Sequence, residues 1–414
     1  SFLDAMGKGL TESGITVYDI GMTLSQICYF AQYYFRTRGM VMITASHNPK
    51  QFNGFKFGIG YSETMLTSDI IEFRELAKSG KFVSRKPKGK HIKKDVTKDY
   101  LDDIIRRVDK IGHFKVVVDS CAATTGIFLP KLFRMLGCEV VEQNTKIDGN
   151  FPVGVADPTE REVQERLARR VVKEKADIGF SYDTDGDRLG VVDEKGNLIW
   201  NDTLVSLFSK DILDFLPGSK IVFNTLCSKQ VDDVVKEAGG KAVIWLTGHS
   251  FIKAKVRDER APFGGELSGH FYFVDNFYGH DDGAVASLRL LAYLTRRKLT
   301  LSQAVKELPQ YFSSPEIKVG CADAIKFEVV TKKIGGSMKK LYPKAKYIEI
   351  DGVRMDTESE MLIVRASQNG PYLTVKFEAK SQKMYDLLKK QVSNILHALK
   401  EVDFKSGVNV DSLN

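Results

Sequence analysis

Met40-Val41-Met42-Ile43-Thr44-Ala45-Ser46-His47-Asn48-Pro49 is the stretch around which the chain is organised. Four apolar residues bounded by turn formers predict a short buried strand. The strand runs into a hydroxyl, an imidazole and an amide side by side, and Asn-Pro then favours a turn. A serine on a turn at the carboxyl end of a strand is where an open α/β sheet usually places its chemistry. Any one of Ser46, His47 and Asn48 alone reads as an ordinary loop residue. Thr44 to Pro49 together, followed by Phe52-Asn53-Gly54-Phe55-Lys56, make a pattern that a plain loop does not require.

Outward from this stretch the pattern is α/β. Residues 3–13 carry apolar positions at helical spacing, Ser13-Gly14 closes that helix, and Ile15 to Asp19 reads as a strand. A second helix, Ser25 to Arg36, leads into the Met40 strand. The lysine-rich residues 81–95, with Pro87 and Gly89, read as a solvated boundary. Beyond it come a helix over Val96–Val108, a strand over Lys115–Asp119, a helix ending at Leu136 and a strand from Cys138 to Val141. The next helix, 159–174, opens with a proline and acids, as the helix dipole favours. A third unit starts near residue 201, with strand Ile221–Phe223, helix Lys229–Ala238 and strand Ala242–Trp245. Three helix-to-strand joints resemble one another: Ser13-Gly14-Ile15-Thr16-Val17, Leu136-Gly137-Cys138-Glu139-Val140 and Gly239-Gly240-Lys241-Ala242-Val243. Their spacing is that of a domain.

From Ser314 the texture changes. Strands at Glu316–Gly320, Tyr347–Asp351, Met361–Arg365 and Tyr372–Ala379 accompany helices near 326–341 and 383–400. This mixture predicts an α+β domain. The expected architecture is three related α/β domains with mixed sheets plus a C-terminal α+β domain around a central cleft. The expected boundaries are 1–90, 91–200, 201–313 and 314–414.

At 414 residues the chain exceeds one hydrophobic core. A 43% hydrophobic and 28% charged composition is that of a soluble protein, and no apolar run is long enough to span a bilayer. Five scattered cysteines without a CxxC pair suit a reduced, cytoplasmic setting. The net charge of +8 is spread along the chain. It favours anionic substrates by steering, and no nucleic-acid motif accompanies it.

Three further loops carry chemistry, the second with a shorter stretch just upstream of it. Asp183-Thr184-Asp185-Gly186-Asp187-Arg188 follows a predicted strand. Its three carboxylates on alternate positions of a tight loop can converge on a hard divalent cation. An EF-hand is the rival reading, with Glu194 at its twelfth position, but that loop needs glycine at the sixth, where Arg188 stands. Gly265-Glu266-Leu267-Ser268-Gly269-His270 places a glutamate and a serine two apart, on one side of an extended segment. Just upstream, Thr247-Gly248-His249-Ser250 precedes a helix whose N-terminus can receive an anion. Finally, Arg365-Ala366-Ser367-Gln368-Asn369-Gly370-Pro371 sits between two strands, and its guanidinium, hydroxyl and amides suit a phosphate.

These four loops, in this order and over essentially the whole chain, resemble those of the α-D-phosphohexomutases of the phosphomannomutase/phosphoglucomutase type. The resemblance implies a reversible phosphoryl transfer between hexose 1-phosphate and hexose 6-phosphate through a phosphoserine and a hexose 1,6-bisphosphate. It makes Ser46 the phosphoryl carrier, assisted by His47, Lys56, Arg188 and His249. It implies a Mg²⁺ ion held by Ser46, Asp183, Asp185 and Asp187, with hexose 1,6-bisphosphate as activator. Glu266, Ser268 and His270 would grip the sugar, and Arg365, Ser367, Gln368 and Asn369 the phosphate that is not being transferred. The expected partner is a sugar phosphate, with no nucleic acid or membrane, and the expected state is monomer or homodimer. Within the family a further segment, with a first strand and an arginine loop, precedes the equivalent of Ser1. Two departures stand out: Gln368-Asn369-Gly370 replaces the usual Asn/Gly-Thr pattern, and Leu226 stands where close relatives carry a lysine, with Lys229 nearby. A non-catalytic sugar-phosphate-binding homologue, a phosphoglucosamine mutase and a phosphatase are the alternatives.

Overall fold

The computed structural model describes residues 1–368 and 370–414. In chain order its elements begin α1 (Phe2–Glu12), β1 (Val17–Asp19), α2 (Ser25–Phe35), β2 (Met40–Ile43), β3 (Phe55–Gly60), β4 (Glu63–Thr64), α3 (Thr67–Ser79) and β5 (His91–Lys93). There follow α4 (Thr97–Arg107), β6 (Lys115–Asp119), α5 (Thr125–Met135), β7 (Glu139–Gln143), α6 (Arg161–Glu174), β8 (Ile178–Tyr182), β9 (Leu189–Asp193) and β10 (Leu198–Ile199). Next come α7 (Asn201–Phe215), β11 (Lys220–Asn224), α8 (Lys229–Glu237), β12 (Lys241–Trp245), α9 (His249–Asp258), β13 (Phe263–Gly265), β14 (Phe271–Phe273) and α10 (Gly283–Arg297). The C-terminal part includes the strands Ile317–Gly320, Lys346–Ile348, Val353–Asp356, Glu360–Ala366 and Tyr372–Ala379 and the helix Gln382–His397. The mixed α/β pattern expected up to residue 313, with α+β texture after it, is what these elements make.

The chain divides into two compact units, Ser1–Leu204 with His249–Val305, and Val205–Gly248 with Lys306–Asn414. In the first, β6, β7 and β8 pair in parallel and β9 and β10 add antiparallel edges, in the order β10-β9-β8-β6-β7. Val116, Val117, Val118, Ile178 and Phe180 are fully buried, as expected of strands covered on both faces. β2, β3 and β4 form a small antiparallel sheet. β1 pairs in parallel with β5. The stretch 81–95 is therefore corrected at its end: His91–Lys93 is a strand of the N-terminal α/β layer rather than solvated linker. In the second unit β11 and β12 pair in parallel, and a largely antiparallel sheet covers the C-terminal helix. The Tyr347–Asp351 strand is shorter than expected, ending at Ile348, and Val353–Asp356 is a separate strand antiparallel to it.

The three similar joints share one geometry. Gly14, Gly137 and Gly239 have φ of 84°, 80° and 73°, the left-handed region open to glycine. After each, the next N–H returns to the carbonyl five residues back: Ile15 to Leu10, Cys138 to Phe133, and Gly240 to Val235. This Schellman closure stops the helix and sends the chain into a strand.

Candidate active site

The serine stretch is built as a turn at the carboxyl end of β2. Ser46 has φ 48°, a conformation that strains a residue with a Cβ. Its N–H donates to Thr44 Oγ1 at 2.9 Å, which closes the turn. The result aims the hydroxyl: Ser46 Oγ donates to Asp183 Oδ2 at 2.9 Å and lies 3.3 Å from His47 Nδ1. β3 runs back beside β2 with Lys56 opposite Met42, so the ammonium enters the same space. It donates to Asp185 Oδ2 at 2.8 Å and also to Asp187 Oδ2.

The aspartate loop joins β8 to β9, with Gly186 at φ 77° making the bend. Asp183 Oδ1 accepts the N–H groups of Gly186 and Arg188, each at 3.1 Å. The flanking strands remove the EF-hand reading, and Glu194 is engaged elsewhere, accepting from Ser302 Oγ at 2.5 Å and Thr300 Oγ1 at 2.9 Å. All three aspartates are buried, at 0, 2 and 1% exposure. One oxygen from each lies within 4.8 Å of the other two. Asp185 Oδ1 and Asp187 Oδ1 are buried with no hydrogen-bond partner among the described residues. Orphaned buried carboxylate oxygens are costly, and an all-oxygen set of this kind fits a hard divalent cation.

Charge is distributed unevenly here. Burial pushes the Asp183 carboxyl well above the usual carboxylate range, and Asp187 and Asp185 add to the push. Burial opposes charge on Asp187 as well, but Lys56 and His270 outweigh it and hold this carboxyl well below that range. Burial would discharge Lys56, yet Asp185 and Asp187 keep its pKa well above the ordinary value. His47 is lowered to about 4 by burial and by Arg188, so its ring beside Ser46 is neutral at physiological pH. Arg188 Nη1 donates to Asp157 Oδ2 at 3.3 Å, and His47 Nε2 lies 4.0 Å from the same oxygen. Asp157 is fixed in turn by Thr159, whose N–H and hydroxyl donate to Oδ1 at 2.9 and 2.7 Å.

The glutamate–serine pair needs one correction. Residues 266–269 form the turn between β13 and β14 rather than an extended segment, and Gly269 N–H donates back to Glu266 O at 3.0 Å. Strand alternation therefore does not align the two side chains. They meet through His270, whose Nδ1 lies 3.0 Å from Ser268 Oγ and 3.3 Å from Glu266 Oε2. His270 Nε2 faces Asp187 Oδ1 at 3.6 Å. Burial would lower its pKa, but Asp187 and Glu266 carry it up to about 9. His249 is the first residue of α9, and its ring stacks on His270 at 5.7 Å between centroids. The structure thus gathers Ser46, His47, Lys56, the aspartates, Arg188, His249, Glu266, Ser268 and His270 within one unit. A cavity of about 1380 Å³ reaches Ser46, Thr184 and Asp185 in that unit.

Arg365 and Ser367 belong to the other unit. Arg365 Nε donates to Asp351 Oδ2 at 3.0 Å, and that oxygen also accepts from Thr247 N–H at 3.0 Å and Thr225 Oγ1 at 3.1 Å. Lys326 Nζ braces the loop through the carbonyls of Ser367 and Gly370, at 2.5 and 3.0 Å. Gln368 is exposed, and Asn369 lies outside the described residues. Lys229 is paired with Asp233 one helical turn away, and Leu226 is buried. Asp157, Asp281, Lys253, Lys326 and Asp351 are the residues sequence reasoning missed. Each pairs with a group well separated from it in sequence: Asp157 with Arg188, Asp281 with His249 and Lys253, Lys326 with the Ser367 carbonyl, and Asp351 with Arg365.

Family models described as phosphoglucomutase/phosphomannomutase, alpha/beta/alpha domains I, II and III, match residues 1–81, 98–196 and 200–312. The phosphomannomutase/phosphoglucomutase of Pseudomonas syringae pv. tomato is 34% identical over 396 residues, covering 95% of this chain and 83% of that protein. A phosphoglucomutase of Neisseria gonorrhoeae is 33% identical over 396 residues, covering 96% and 85%. Among solved structures, a phosphoglucomutase/phosphomannomutase family protein from Burkholderia thailandensis superposes with a TM-score of 0.84 at 30% identity, covering 96% of this chain and 86% of that one.

Proposed function

The chain belongs to the phosphoglucomutase/phosphomannomutase family, and from that premise we propose that Ser46 is the group through which it moves a phosphoryl group between the 1- and 6-positions of a hexose. The reaction is a reversible phosphoryl transfer between hexose 1-phosphate and hexose 6-phosphate. The observation that carries the assignment is the placement of Ser46 Oγ, 2.9 Å from Asp183 Oδ2 beside two orphaned carboxylate oxygens.

Phosphoryl transfer asks mainly for positioning and charge neutralisation. Asp183, Asp185 and Asp187 are the residues that would hold a Mg²⁺ ion. When bound, the ion supplies positive charge to the phosphoryl oxygens. In the forward step the bond from Ser46 Oγ to phosphorus breaks and a bond from a sugar hydroxyl oxygen to phosphorus forms. The hydroxyl proton passes to a nearby base, and hexose 1,6-bisphosphate results. After the sugar turns end for end, Ser46 Oγ takes the other phosphoryl group. Lys56 and Arg188 offset the charge on the transferred group, and neutral His47 beside Ser46 Oγ can hold a proton at that atom. Glu266, Ser268 and His270 grip the ring hydroxyls, and Arg365 and Ser367 hold the phosphate that stays. Hexose 1,6-bisphosphate is the activator because it restores phospho-Ser46.

The test is isomer formation from glucose 1-phosphate and mannose 1-phosphate with Mg²⁺ and a trace of glucose 1,6-bisphosphate. The expected result is formation of the corresponding 6-phosphate, abolished in Ser46→Ala. Release of inorganic phosphate without isomer would identify a phosphatase instead.

A further inference from the structure

The sequence His280-Asp281-Asp282 precedes α10, and two of its three side chains have evident structural work. Asp282 caps α10, accepting from Val285 N–H at 2.9 Å and Tyr100 OH at 2.8 Å. His280 stacks against Tyr29 and Tyr278 and meets Ser62 Oγ at 3.0 Å. Asp281, fully buried, is left facing the active site. Its Oδ1 accepts from Lys253 Nζ at 3.2 Å. Its Oδ2 lies 3.3 Å from His249 Nδ1. Both atoms are buried and neither meets hydrogen-bond geometry with any partner among the described residues, so each has only the other within reach. Lys253 is anchored independently, donating to Tyr29 OH at 2.9 Å and resting 4.1 Å from that ring.

We propose that Asp281 is a positioning residue for the reaction: it fixes the His249 ring with the proton on Nδ1, which leaves Nε2 as the acceptor. The proposal rests on the reading of His249, given above, as a residue that assists phosphoryl transfer at Ser46. A carboxylate only accepts hydrogen bonds, so a neutral imidazole facing it must carry its proton on the near nitrogen. On the far side, Ser250 Oγ lies 3.4 Å from Nε2, a hydroxyl that can donate to that nitrogen. Lys253 holds the other carboxylate oxygen and so sets the rotation of Asp281. The ring is also held from one face and through its backbone. His270 stacks on it at 5.7 Å, and Tyr272 OH donates to His249 O at 3.3 Å.

Asp281→Asn separates positioning from simple charge loss. Lys253 can only donate, so the asparagine must turn its oxygen to Lys253 and its NH₂ to His249. Nδ1 then has to accept, and the proton moves to Nε2. The readout is the ring ¹⁵N spectrum of histidine-labelled protein, with the His249 signal assigned from His249→Gln, alongside kcat, KM and the thermal midpoint. We expect Asp281→Asn to switch the tautomer and lower kcat about 100-fold with KM changed less than about threefold. Lys253→Met is expected to keep the proton on Nδ1. In Asp281→Asn with Lys253→Met, the amide is free to turn its oxygen to His249, so the original tautomer and much of kcat should return. A folded Asp281→Asn protein with the original tautomer, or with kcat within about threefold of wild type, would overturn the proposal. So would loss of the tautomer in Lys253→Met, or a folded double variant without rescue. If the unmodified protein forms no isomer, the functional reading fails, while the tautomer measurements still decide the role of Asp281.

Discussion

Lys56 places one ammonium between Asp185 and Asp187, and it is the charge those carboxylates share when no cation is bound. A divalent cation on the same oxygens must displace or share that ion pair, so losing one carboxylate weakens cation binding directly. Asp185→Asn is expected to lower Mg²⁺-dependent kcat by about 100-fold and to raise the Mg²⁺ concentration needed for half activity. Unchanged Mg²⁺ dependence would argue against the assignment. His280 makes a second residue-scale prediction. Burial and the Lys253 charge push its pKa down to about 3, so the folded protein keeps it neutral while the unfolded chain protonates it near 6.5. Its contribution to stability is therefore present above pH 6.5 and lost as pH falls toward 3, at about 1.4 kcal/mol per pH unit. His280→Phe should flatten that part of the acid-unfolding profile, measured by denaturant melts between pH 7 and pH 4. At this scale, Ser46 and the aspartates were legible because a loop of contiguous residues holds each group. Asp157, Asp281 and Asp351 were not, because their work is to hydrogen-bond residues that only folding brings near.

At the scale of elements, the three Schellman joints explain why the repeat was visible: each needs a glycine at the same step. Among the described residues, and apart from the adjoining backbone, no heavy atom lies within 4 Å of a Cβ built on Gly137 or Gly239. Substituting alanine there tests backbone conformation alone. Gly137→Ala and Gly239→Ala are each expected to cost about 1 kcal/mol, read as a lower urea midpoint, and Gly137→Asn less. A neutral result would mean the joint is not fixed by the left-handed turn. Other elements escaped local reading for physical reasons. α10 is buried at every position of Gly283–Leu294 except Arg289, so little but that residue and the terminal arginines marks its polar side. Val353–Asp356 hides a fully buried Arg354, whose Nη1 donates to the carbonyls of Thr225 and Cys227 at 2.7 and 2.6 Å. A charged residue in so short a strand masks its pattern. The turn at 266–269 fell the other way: Glu-x-Ser alternates like a strand, but Gly269, at φ 90°, lets the chain bend instead.

At the scale of the molecule, Ser46, the aspartates of the 183–188 loop and His47, His249 and His270 belong to one compact unit, and Arg365 and Ser367 to the other. The α/β order up to residue 313 and the α+β texture after it were legible from period and punctuation, because each strand is short, apolar and bounded by turn formers. The division into two units was not legible, since it turns on contacts between segments far apart in the chain. The proposed chemistry turns on one bond, that between Ser46 Oγ and phosphorus. The most direct measurement is the mass of the peptide carrying Ser46 after the protein is incubated with glucose 1,6-bisphosphate and Mg²⁺. One phosphoryl group is expected on Ser46, absent from Ser46→Ala and discharged by excess glucose 6-phosphate. Folded protein that leaves Ser46 unmodified under these conditions would contradict the proposed chemistry.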